Sequence, residues 1–403
     1  MSSSRDSVSS QRVLSTVLIL GVLAAFGPLS IDMYLPGLPT IGRELDAGAG
    51  QVQLTLSAFF VGFAGGQLLY GPFSDRWGRR PVLVGGISLY VAASALCAIS
   101  PNIETLIAFR LLHALGGGAG VVVARAVVRD RFPTDQAARV LSFMMLVTGL
   151  APLLAPLIGG HVLVWFGWRA IFWLLTGFGL MALVAVLAWL PESRPAERRP
   201  ARPFRTVFTG YGRVLGDLRT LACILAGGTA FAGMFAYISG TPFVYIELFG
   251  IAPQAYGYLF ALNVLGIMGG AVLNARLVLH CGAPVMISIG GIVAALSGVA
   301  LLITAISGTG GLLGIVVPLF FYMSTLNLIS ANAMALAAEA HADRAGTVAA
   351  LFGAGQFGLG AVAGSAVGLL HDGSAMPMAV VIAVCGVLCL LSQRIALHLP
   401  RQR

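Results

Sequence analysis

Twelve long apolar runs, separated by short polar stretches, make up nearly the whole chain. They lie near 13–36, 51–71, 81–99, 103–124, 139–163, 169–190, 219–242, 255–275, 284–306, 311–337, 346–370 and 374–398. Crossing ~30 Å of hydrocarbon takes about 20 apolar residues as a helix, so each run predicts a transmembrane helix. One longer polar stretch, 191–217, opens Pro191-Glu192-Ser193 and carries Arg194, Arg198, Arg199, Arg202 and Arg205, dividing the helices six and six. The pattern predicts an all-α membrane protein of two six-helix bundles related by a pseudo-two-fold axis. A cytoplasmic tail (1–12) would precede the N-terminal bundle (13–190). A cytoplasmic linker (191–217), the C-terminal bundle (218–398) and a short cytoplasmic tail (399–403) would follow. The first run is longer than a signal-peptide core and is followed by eleven more, so we read it as retained.

Composition agrees, at 58% hydrophobic and 10% charged over 403 residues, too apolar and too long for one soluble core. All 24 cationic side chains are arginine. With the N-terminus in the cytoplasm, 21 of them fall inside, Arg43 and Arg169 outside and Arg110 within the membrane. That asymmetry predicts both termini in the cytoplasm and points to the lipid bilayer, not a nucleic acid, as partner of the basic charge. The cysteines Cys97, Cys223, Cys281, Cys385 and Cys389 sit in or beside apolar runs, as buried free thiols do. His280 beside Cys281 has no further ligands near it, so we expect neither metal nor cofactor. Gly353-Ala354-Gly355-Gln356-Phe357-Gly358 spells a dinucleotide fingerprint, but it lies inside an apolar run with no preceding strand; small residues that let helices approach explain it better.

At an offset of 204 residues, Gly62, Gly65 and Gly66 fall on Gly266, Gly269 and Gly270, and Gly78 on Gly282. Parallel six-helix repeats place a substrate site near the midplane, between the bundles. The charges are not repeated: Asp32 becomes Ala236, Asp75 Leu279 and Arg110 Gly314.

An ionisable group deep in hydrocarbon costs several kcal/mol and is a functional candidate by default. Asp32 lies in the outer part of the first helix, and Arg110 lies roughly 13 Å into the fourth at 1.5 Å per residue. Their depths overlap, so we expect them to be neighbours, as a proton-exchanging acid with its partner or as an ion pair pinning two helices. His113 shares the Arg110 face, as a proton relay or a packing histidine. Tyr34, Tyr237, Asn263 and Asn327 are candidates to line a substrate cavity with Asp32 and Arg110. Gly71, Asp75, Arg76, Gly78, Arg79 and Arg80 form a charged turn between the second and third helices, expected to gate. Pro152, Pro156, Gly159 and Gly160 remove backbone bonds and bulk from the fifth helix, which should bend. No paired carboxylates or His/Glu metal motif suggest an enzyme.

The Gly71–Arg80 segment resembles the loop-two signature of the major facilitator superfamily. Arg110-Leu111-Leu112-His113-Ala114-Leu115-Gly116 is similar to the fourth-helix signature of its proton-coupled members, and Ala151-Pro152 through Ala155-Pro156-Leu157-Ile158-Gly159-Gly160 to the exporter signature. Pro28 through Pro36, Arg125 through Asp130 and Pro242 through Glu247 resemble the Bcr/CflA drug exporters, including the bicyclomycin-resistance type. The resemblance implies a monomeric drug/proton antiporter of the bacterial inner membrane, powered by the proton gradient. Its substrates would be bicyclomycin-, chloramphenicol/florfenicol- or sulfonamide-like. Asp32 would be the proton and substrate acid and Arg110 its coupling partner. Asp75 would latch onto the inner end of the eleventh helix, near Arg344-Ala345-Gly346-Thr347. A proton-coupled metabolite or amino-acid exporter, or an uptake symporter of the same fold, is the alternative.

Overall fold

The computed structural model describes residues 14–198, 204–341 and 344–399; the tail 1–12, Arg199, Arg202 and residues 400–403 lie outside them. Twelve helices among these are long and apolar enough to cross a membrane. They are α1 (Leu14–Glu44), α2 (Ala49–Trp77), α3 (Arg79–Ala98), α4 (Ile103–Arg131), α5 (Thr134–Phe166), α6 (Trp168–Trp189), α7 (Leu218–Leu248), α8 (Pro253–Cys281), α9 (Ala283–Ser307), α10 (Gly311–Ala340), α11 (Ala345–Leu369) and α12 (Met376–His398). A further helix, Phe204–Leu215, lies in the linker, where the arginine-rich pattern suggested none. Its signal is the 3–4 spacing of Phe204, Phe208, Tyr211 and Leu215.

In the first half α4 carries α2 and α3, and α3 carries α6; in the second, α7 carries α11 and α12, and α9 packs on α10 and α12. The halves meet along α2–α11 and α5–α8. The glycine repeat sits at matching contacts. Gly62 and Gly66 lie against the backbone of Leu111 and Gly118 on α4, and Gly266 and Gly270 against that of Phe320 and Ser324 on α10. Small residues are what allow membrane helices to come this close. Gly78 (φ 99°) and Gly282 (φ 79°) both end the second helix of their half in a conformation that other residues avoid.

Prolines explain where helices break. Pro36 cannot donate to the carbonyl four residues back, that of Asp32, and the helical segment Phe26–Asp32 ends there before a 3-10 turn, Leu35–Gly37. Pro242 precedes a π-helical stretch, Phe243–Leu248, at the end of α7. Pro318 in α10 frees the Gly314 carbonyl, which accepts from Thr304 Oγ1 of α9 at 2.6 Å. Pro72 likewise frees that of Leu68, which accepts from Tyr211 Oη of the linker helix at 2.8 Å. Burial, with the Asp75 charge adding, pushes the Tyr211 phenol up to about 12, so it stays a neutral donor. In a membrane protein such orphaned carbonyls need partners from neighbouring elements. α5 runs as one helix through Pro152 and Pro156, and the discontinuities among the described residues fall in α1, α7 and α10.

Asp217 caps α7, accepting from Arg219 N at 3.2 Å and Thr220 Oγ1 at 2.5 Å, with His341 Nε2 of the turn after α10 at 3.3 Å. Burial pushes the Asp217 carboxyl up, but the bonds from Thr220 and Arg219 outweigh it and hold it below the ordinary aspartate value. A depressed acid contributes stability that is complete above ~pH 4 and is lost as pH falls through its folded value. Asp217→Ala should therefore cost about 1 kcal/mol at neutral pH. Thermal unfolding in detergent should show the gap to wild type closing in acid; a gap that persists or widens there would contradict the cap.

Candidate substrate and coupling site

The break at Asp32 divides the residues of α1 between two environments. At 3.6 residues per turn, Ser30 and Tyr34 share a face while Asp32 points ~200° away from Ser30. The Ser30 face turns into the first half. There Arg110, fully buried, donates from Nη1 to Ser30 O at 3.0 Å and to His113 Nδ1 at 3.3 Å. Its guanidinium carbon lies 4.3 Å from the centre of the Phe59 ring, 4.6 Å from Tyr34 and 5.7 Å from Phe172, so aromatic faces stabilise the charge. Nε and Nη2 of Arg110 have no hydrogen-bond partner among the described residues. Tyr34, expected at the substrate site, is part of this cage instead: its hydroxyl donates to Thr55 Oγ1 at 2.8 Å, the Thr55 proton going to Val52 O. His113 accepts on Nδ1, which puts its proton on Nε2, and among the described residues Nε2 has no hydrogen-bond partner. Its ring packs on Tyr90, the centroids 4.3 Å apart.

Asp32 is 4% exposed and faces the other half. It stands near Tyr237 of α7 and Tyr256 of α8, and among the described residues it makes no ion pair or hydrogen bond. The expected Asp32–Arg110 neighbour pair is therefore corrected: similar depth does not fix which way a side chain faces. Around the two tyrosines a polar ring closes. Tyr256 Oη donates to Thr241 Oγ1 at 3.0 Å, whose own proton goes to Tyr237 O. Asn263 Nδ2 donates to Tyr237 Oη at 3.3 Å, and Tyr237 stacks on Phe260 with ring centres 5.5 Å apart. Tyr245 Oη and Asn263 Oδ1 are buried beside each other in this ring. Tyr256 and Thr241 escaped the sequence reading. The π-helical stretch after Pro242 turns Tyr245 into this ring, where its ring centre lies 6.0 Å from that of Tyr256. Asn327 is spent elsewhere, donating to Ile267 O at 3.2 Å and so joining α10 to α8.

Both described ends of the chain and the arginine-rich loops share one face. On the opposite face the halves touch through glycines: a Cβ on Gly50 would stand 2.7 Å from Gly368 O, and one on Gly160 2.6 Å from Pro253 O. Gly159 lies against Met33 O, beside the α1 break. On the arginine-rich face the halves part around a cavity of about 810 Å³, lined among others by Gly71, Asp75, Arg76 and Arg79 from one half and Arg344, Gly346 and Thr347 from the other. Among the described residues no hydrogen bond or ion pair joins Asp75 to the N-terminus of α11, where the latch contact was expected. Its carboxylate binds Arg79, at 2.8 Å, and Arg194. Arg79, 5% exposed, also donates to Asp130 at 2.8 Å and to Ser74 Oγ at 2.7 Å. Glu192 caps α3 by accepting from Arg79 N at 2.9 Å and Arg80 N at 3.1 Å, and Arg80 Nη2 donates to Leu187 O. The expected turn is confined to Gly78, with Gly71–Trp77 helical in α2 and Arg79 and Arg80 opening α3, and these charges tie α2, α3, α4 and the end of α6 into one body through Asp130, Glu192 and Arg194, which the sequence pattern alone did not reveal.

Residues 20–365 match the Major Facilitator Superfamily. The chain is 36% identical over 379 residues to the "Uncharacterized MFS-type transporter YdgK" of Bacillus subtilis, covering 93% of each. It is 33% identical to the "Bicyclomycin resistance protein homolog" of Haemophilus influenzae, covering 93% of this chain and 94% of that one. It is 32% identical to the "Chloramphenicol resistance protein" of Pseudomonas aeruginosa, covering 91% and 87%. Among solved structures, that of a D-xylose–proton symporter superposes with a TM-score of 0.72 over 98% of both chains at 16% identity, a likeness of fold alone. Twelve membrane helices in two packed halves, a cavity between them and a match over most of the sequence lead to one conclusion: the chain is a multi-pass membrane transporter and belongs to the Major Facilitator Superfamily.

Proposed function

We propose that this transporter exports small, fairly hydrophobic drugs from the bacterial cytoplasm across the inner membrane in exchange for protons. The observation that carries the reading is Asp32, a buried carboxyl between the halves that stands near Tyr237 and Tyr256 and pairs with no cation among the described residues. An ionised acid in that place is a buried charge without a partner, which costs several kcal/mol. A proton or a bound substrate can supply what the protein does not, and the two then compete for one site. Deprotonated toward the cytoplasm, Asp32 would accept substrate; protonated from outside, it would release it. Coupling of this kind needs opposite preferences at the same site, because a ligand indifferent to state shifts nothing.

The relatives named for bicyclomycin and chloramphenicol resistance support a drug as the cargo. The aromatic rings of Tyr237, Tyr256 and Phe260, with hydrogen-bonding groups at Tyr245 and Asn263, suit contact with neutral compounds of that polarity. The arginine asymmetry supports a cytoplasmic position for the termini and, with them, for the open cavity. Everted membrane vesicles energised to an acidic interior test the reading: adding a transported drug should release protons in proportion to drug uptake. Drug movement with no proton release would overturn exchange. A resistance panel in a pump-deficient strain should then identify the drugs.

A further inference from the structure

The cavity on the arginine-rich face is lined by seven arginines and one carboxylate, Asp75, among the described residues. Asp75 is already bound by Arg79 and Arg194. Arg125 and Arg129 stand one turn apart on α4, and Arg213 projects from the linker helix; these three make no ion pair or hydrogen bond among the described residues. Arginines that set membrane topology need only lie near head groups, as the exposed Arg139, Arg276 and Arg394 do, outside the cavity. Arg125, Arg129 and Arg213 instead converge, from two elements, on a concave space between the halves. A recess with positive walls concentrates anions, and unspent guanidinium forks match the oxygens of phosphate, sulfonate or carboxylate groups.

We propose that Arg125, Arg129 and Arg213 form an oxyanion site at this mouth of the cavity, separate from Asp32 and its tyrosine ring. Its ligand is a soluble multiply charged oxyanion or the phosphate of an anionic lipid head group reaching in between the halves. The linker helix that carries Arg213 also donates to α2 through Tyr211. Occupancy would therefore pull together α4 and the element joining the halves.

The trisulfonate dye pyranine, read by fluorescence anisotropy on the full chain in nanodiscs of zwitterionic phosphatidylcholine, tests this without any transport. Saturable binding displaced by inorganic pyrophosphate is expected. Arg125→Gln, Arg129→Gln and Arg213→Gln should each weaken it about tenfold, the loss of one charge-assisted bond. The charge-matched triple variant Arg139→Gln/Arg276→Gln/Arg394→Gln should change it less than about twofold, because screened charges outside the cavity act weakly. Equal weakening in that triple variant, or none in the cavity variants, would overturn the site. Discs containing phosphatidylglycerol tell the sources apart: dye displaced by the lipid assigns the site to a head group, and dye retained assigns it to soluble anions. Asp32→Asn should leave dye binding intact, so failure of the export reading and failure of this site would be told apart.

Discussion

Asp32→Asn should abolish drug-induced proton release in everted vesicles while leaving the protein folded and able to bind a neutral drug. Asparagine matches aspartate in size and forfeits only the ionisation. Asp32 makes no hydrogen bond or ion pair among the described residues, so the exchange removes no contact and takes away a buried ionisable group; the unfolding temperature should not fall. Each proton-driven step depends on the carboxyl being neutral in one state and charged or substrate-bound in the next. A side chain fixed as neutral satisfies only the first. Wild-type drug affinity should fall as the medium is acidified through the titration of Asp32; that of Asp32→Asn should be flat with pH. Asp32→Glu should keep coupling at a reduced rate, since the acid is retained one methylene further out. Proton release that persists in Asp32→Asn would remove Asp32 from the mechanism. Release lost together with folding would be detected by the unfolding temperature.

The twelve spans and the two-half division were legible because they rest on length and hydropathy, which the bilayer dictates. Gly78 and Gly282 were legible as a repeated pair, and the structure shows what they share, a positive φ that ends α2 and α8. Facing was not legible. Asp32 and Arg110 have overlapping depths, yet the face of α1 that holds Ser30 and Tyr34 meets Arg110 while Asp32 meets the second half. Depth can be counted along one helix, whereas facing depends on the rotation of every neighbour. Pro36 did carry information that spacing alone missed: it frees the Asp32 carbonyl and marks the place where α1 breaks. The partners of the charged loop were hidden for a related reason. Glu192 and Arg194 lie more than a hundred residues along the chain from the groups they bind, the Arg79 and Arg80 amides and the Asp75 carboxylate, and meet them because α6 packs on α3.

Gly50→Ala combined with Gly160→Ala should hold the transporter open on the face opposite the arginines and stop export. The nearest atoms to the added methyl groups, Gly368 O at 2.7 Å and Pro253 O at 2.6 Å, belong to the other half, so the strain exists only when that face is closed. The helical gain of alanine over glycine is present in both states and cancels from the balance between them. Overpacking costs about 1–3 kcal/mol per site, which shifts the open-to-closed ratio by roughly tenfold to a hundredfold for each. Spin labels replacing Arg43 and Asp372, exposed on that face in different halves, should report a longer mean distance in a cysteine-free background. Gly62→Ala provides the contrast. Its methyl group would press on Leu111 O of the same half, so it should lower the unfolding temperature without lengthening that distance. An unchanged distance in the double variant would mean that these glycine contacts do not set the closed state, and that the face is sealed by other residues along α2–α11 and α5–α8.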